Sequence, residues 1–81
     1  MEENIEEYLE EELGEEIAVE VVLVKKDYYA IKLKPLGRFK NCYSLMIPFT
    51  YDRNSTFFYN MDKLKKRIGR LIEEWKKWDI D

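Results

Sequence analysis

Apolar residues in the last third of the chain recur at alternating three- and four-residue steps: Met61, Leu64, Ile68, Leu71, Trp75 and Trp78. That spacing lines one side of an α-helix. The pattern predicts a helix from Asn60 to Trp78, with Asn60 as N-cap, Asp62 in the first turn and Tyr59 stapled across the cap onto Leu64. Lys63, Lys66, Arg70 and Lys77 fall opposite the apolar stripe on that wheel, giving the helix a mostly cationic outer side. At the other end of the chain, Ile5, Tyr8, Leu9 and Leu13 share a helical face and Gly14 supplies the stop.

Between the two helices the period changes to two. IAVEVVLVKK sets Ile17, Val19, Val21 and Leu23 on one side and Ala18, Glu20, Val22 and Val24 on the other. Apolar residues on both sides predict a central strand. Lys26-Asp27 reads as a tight turn into a second strand, YYAIKLK, which Pro35 ends. After a loop carrying Arg38 and Lys40, alternation resumes with Tyr43, Leu45, Ile47, Phe49 and Tyr51, and Pro48 demotes that strand to an edge or an early end. Phe57, Phe58 and Tyr59 follow polar turn residues and read as an apolar lead into the last helix, with a short fourth strand over 56–59 as the alternative.

The expected fold is α+β, in the order α-β-β-β-α: one domain over residues 1–81, with both helices on one face of a three-stranded antiparallel sheet. A chain of 81 residues buries only about three fifths of its unfolded surface, so the 46 % hydrophobic content and the twelve aromatic rings have to pack efficiently. The stripe of the last helix, Tyr8, Leu9 and Leu13, and Ile17, Val21, Ile31, Leu45 and Ile47 form the expected core. Ala18, Val22, Val24, Ala30 and Met46 are expected on the far side of the sheet, an apolar patch that calls for a cover.

The net charge of −3 averages two opposed segments. Ten Glu and no base stand between Met1 and Glu20, whereas twelve Lys and Arg face three Asp between Val21 and Arg70. Seven Glu on the first helix repel one another, so that helix is expected to dock beside the basic remainder of the chain. Without His there is no usual base for a Ser, Cys or Thr nucleophile and no His ligand for zinc, and the three glycines are too isolated for a phosphate loop. The expectation is a non-enzymatic protein without metal or cofactor. A single Cys42, no apolar run of about twenty residues and no signal-like N-terminus point to a cytoplasmic location and no membrane. Usage rich in Glu and Lys, with no Gln, resembles that of thermophile proteins.

What remains is a set of cations in two clusters: Lys32, Lys34, Arg38 and Lys40 around the second strand, and Lys63, Lys66, Arg67 and Arg70 near the start of the last helix. With Tyr28 and Phe39 nearby, they suit RNA or single-stranded nucleic acid, the rings stacking on bases and the cations meeting phosphates. The order of elements resembles that of double-stranded RNA-binding domains, whose phosphate-contacting lysines would correspond to KLKKR, Lys63 to Arg67, although the acidic first helix and the bare Lys26-Asp27 turn depart from that pattern. It also resembles the small Alu-domain proteins of the signal recognition particle, which pair with a partner and use an open sheet face for RNA. The competing expectation is a protein-interaction module, a homodimeric adaptor or inhibitor acting through the apolar outer sheet face and the acidic helix. Surface cations that only serve solubility are the bland alternative.

Overall fold

A computed structural model describes residues 1–78, apart from the side chains of Arg38 and Trp78. The order is α1 (Glu2–Leu13), β1 (Ile17–Lys25), β2 (Tyr28–Pro35), β3 (Leu45–Thr50) and α2 (Phe57–Trp78), with short 3-10 turns at Gly14–Glu16 and Gly37–Phe39. The α+β architecture expected from the periodicities is therefore the observed one, with three antiparallel strands in the order β1-β2-β3. Among the described residues no helix is long and apolar enough to cross a membrane.

Strand alternation sorts the sheet into two faces. Ile17, Val19, Val21, Tyr29, Ile31, Leu33, Ile47 and Phe49 are buried on the inner face. They join Ile5 and Leu9 of α1 and Met61, Leu64, Ile68 and Trp75 of α2 in a single core cluster, so both helices cover that one face. Tyr8, Leu13, Leu45 and Leu71 pack at its margin, half-buried. Trp78, expected at the end of the stripe, has its side chain outside the described structure.

Three expectations are corrected here. β1 is an edge strand and β2 the central one: the second apolar side of β1 faces outward, and α1 packs along β1 on the inner face. Leu23, expected inward, is 45 % exposed because the ladder shifts between Leu23 and Lys25, just before the two-residue turn at Lys26-Asp27. Tyr43 is likewise exposed, since β3 begins only at Leu45.

Local chemistry accounts for the joints. Gly14 takes φ 75°, a left-handed conformation that costs glycine little, and its N–H donates to the Glu10 carbonyl to close α1. Asp27 takes φ 61° in the β1–β2 turn, which Asp tolerates better than most residues. That turn is fastened to the end of β3, where the Tyr51 N–H donates to the Asp27 carbonyl at 2.7 Å and Arg53 Nε donates to Asp27 Oδ1 at 2.6 Å. Both sheet edges are blunted as well: Glu2 Oε2 accepts from the Leu23 N–H on β1, and Arg67 donates to the Pro48 carbonyl on β3 at 2.8 Å. Proline has no N–H to give a ladder, so an edge strand is where Pro48 costs least.

Trp75 is the largest fully buried side chain. It packs against Phe39 with ring centroids 5.8 Å apart, and its backbone carbonyl accepts a weak hydrogen bond from the Cys42 thiol at 3.8 Å, so it holds the β2–β3 connection onto α2. Its Nε1–H is buried without a hydrogen-bond partner among the described residues. Trp75→Ala is therefore expected to cost about 3–5 kcal/mol in urea unfolding, enough to take much of a small domain's stability. Trp75→Phe should cost less, because it keeps a ring against Phe39 and removes the orphaned donor.

Candidate nucleic-acid interface

The eight expected cations do not form one footprint. Lys32 and Lys34 project from β2 on the sheet face that no helix covers, since their neighbours Ile31 and Leu33 point into the core. Arg38 and Lys40 belong to the turn beyond β2, Lys40 exposed and the Arg38 side chain outside the described structure. Lys63, Lys66 and Arg70 lie on α2 opposite its buried stripe, so they face away from the sheet altogether. The inner and outer sheet faces and the helix layer thus separate the two clusters.

Several of these charges already have partners. Lys32 pairs with Glu20 across the β1–β2 ladder at 3.8 Å, and Lys66 pairs with Asp62 at 3.1 Å. The Arg67 guanidinium turns toward the sheet edge to cap Pro48. Lys65, on the other flank of α2, reaches Glu12 at 2.9 Å, the contact by which the acidic α1 docks on the basic helix; the hydrogen bond to Glu12 and its charge raise the Lys65 pKa.

The aromatics also differ from expectation. Phe39, expected beside the strand cations, is 3 % exposed and serves the core. Tyr28 remains on the open face with Lys25 Nζ 5.6 Å from its ring centroid. Besides Tyr43 before β3, the aromatics in the open lie on α2: Phe58 is 72 % and Tyr59 51 % exposed, and Lys63 Nζ stands 5.5 Å from the Tyr59 centroid. Reading 57–59 as a lead-in, and Tyr59 as a staple on Leu64, hid this pair. The signal that finds it is Thr56, a cap residue placed so that three more residues join the helix.

Residues 56–59 are accordingly no strand. Thr56 Oγ1 accepts from the Tyr59 N–H at 3.1 Å, capping a helix that starts at Phe57. Asn60, expected as the cap, is a buried residue inside the helix, and its amide ties the preceding loop down. Asn60 Oδ1 accepts from the Asp52 N–H at 2.8 Å, while Nδ2 donates to the Asp52 and Thr56 carbonyls. The Asp52 carboxylate in turn accepts from the Asn54 N–H and the Ser55 hydroxyl, which lower its pKa. Phe57 then packs edge-on against Tyr8 of α1 with centroids 6.0 Å apart, leaving Phe58 and Tyr59 outside.

Among the described residues no group of three or more His, Cys, Asp or Glu is arranged to hold a metal ion. Compared with family models, curated proteins and solved structures, the chain matches none.

Two predictions concern this helix start. Asn60→Ala leaves the Asp52 N–H and carbonyl without their partner, and it is expected to cost roughly 2–3 kcal/mol in chemical denaturation. The lowered Asp52 pKa stabilises the fold above the ordinary carboxylate value near 4, and this contribution is lost as pH falls through the lowered folded value. Asp52→Asn should therefore melt below the wild type at pH 6, and the gap should close as pH falls through the lowered Asp52 value.

Proposed function

We propose that the protein is a small, non-enzymatic nucleic-acid-binding module that takes single-stranded RNA or DNA along the outward side of α2. One observation carries this reading: exposed Tyr59 lines up with Lys63, Lys66 and Arg70 on the outward side of one rigid helix, and exposed Phe58 stands on the flank next to Tyr59. Aromatic rings stack on unpaired bases whatever their identity, and neighbouring cations neutralise the phosphates between them. From Tyr59 to Arg70 the helix rises about 17 Å, enough for a short stretch of strand. The Lys32 and Lys34 surface offers less, because the residues around it are mostly apolar.

Three phosphate contacts predict a log–log salt slope near −2, so affinity for an unstructured oligonucleotide should fall roughly 20-fold between 50 and 200 mM salt. Changing Phe58 and Tyr59 together to Ala should weaken binding by about 1–3 kcal/mol per stacked base. Lys32→Glu with Lys34→Glu should change it little. Fluorescence anisotropy measures all three. Loss of binding only in the strand double mutant would move the site to the sheet, and no binding to mixed RNA and DNA at low salt would sink the reading in favour of a protein partner.

A further inference from the structure

Among the described residues nothing covers the sheet face turned away from the helices, and its relief points to what covers it. Its centre is a row of small apolar side chains, Val22, Ala30 and Pro48, aligned across the three strands by the ladder register. Beside that row stands Met46, 61 % exposed, with a shallow hollow on each side. One hollow is lined by Val24, Tyr28, Ala30 and Pro48 as well as Met46 itself. Val24 is 56 % exposed.

We infer that a second copy of this chain packs on this face, sheet to sheet about a two-fold axis. A knob beside an apolar hollow on one surface is self-complementary: under a two-fold axis each Met46 enters the hollow of the other copy, and methionine is the side chain best able to adapt its shape to such a gap. Charge favours the same occupant. The face carries Glu20 and Lys32, 3.8 Å apart in the same cross-strand row as Met46, and Lys34 near the end of β2, so two copies set mixed charge against mixed charge beside the apolar row. A polyanion would meet Glu20 and an uncharged centre. Three strands at about 4.8 Å spacing and six to nine residues long make a face roughly 14 Å by 20–30 Å, and two such faces amount to roughly 560–840 Å² in all. That is below the size of a standard interface, so the dimer is weak, with a dissociation constant in the tens of micromolar, on the order expected of a small contact. Joined this way, the two copies turn their α2 surfaces outward in opposite directions.

Sedimentation velocity of the full chain without nucleic acid, from about 5 to 200 µM, tests this. The expected result is a concentration-dependent shift from 9.9 kDa to twice that mass. Met46→Glu should raise the dissociation constant at least tenfold, and Met46→Ala should weaken the dimer without placing a charge in it. Both substitutions are at an exposed position and should leave circular dichroism unchanged. Oligonucleotide binding at α2 should stay within about threefold of the wild type, so failure of the dimer is distinguishable from failure of the nucleic-acid reading. A wild type that stays monomeric to 200 µM, or a Met46→Glu protein that dimerises like the wild type, overturns the inference.

Discussion

The buried stripe of α2 against the inner face of the sheet is the contact on which the rest depends. Both helices pack on the same face of the three-stranded sheet, and among the described residues no further element is left for the second face. Covering one face well is the available solution. Met61, Leu64, Ile68 and Trp75 do most of it, and α1 completes it over β1. Once both helices are committed there, the opposite sheet face and the outer side of α2 are the two broad surfaces left to the solvent.

The loop before α2 decides what that outer side carries. Asn60 and Thr56 fix the helix start three residues earlier than the expected Asn60, and that shift leaves Phe58 and Tyr59 exposed, with Tyr59 beside Lys63. A buried amide whose oxygen and nitrogen are both satisfied rigidifies a joint in a way an apolar contact does not, because each bond has a direction. The same economy appears at the sheet edges. Arg67 and Glu2, counted by charge alone among the surface groups, are each turned to a backbone atom of an edge strand.

Charge segregation along the chain has a comparable structural outcome. The glutamates of α1 neighbour the cationic helix, with Glu12 and Lys65 as the point of contact, and the acidic segment is thereby held against a basic one within the monomer. An acidic helix that would repel itself in isolation becomes part of the packed layer, and α2 keeps Lys63, Lys66 and Arg70 on the side opposite its buried stripe.

Periodicity along the chain determined the element types and their order, since a 3.6-residue apolar period and a two-residue alternation are local properties that any compact fold must respect. It also determined the inner sheet face and the α2 stripe, because burial follows directly from those periods, and it placed the turns at Gly14 and Lys26-Asp27, where residue chemistry is local. Tertiary structure alone decided the remainder. β1 and β2 are both apolar enough to be central, and only the pairing order and the placement of α1 chose between them. Asn60 reads equally well as a cap or as a buried tie, and the choice rests on Asp52, eight residues away. Phe39 stands between Arg38 and Lys40 yet packs against Trp75, while Phe58 stands between two aromatics yet faces solvent. Whether the two basic clusters make one surface or two depended on which side of a packed layer each came to occupy, a relation between elements that no local pattern encodes.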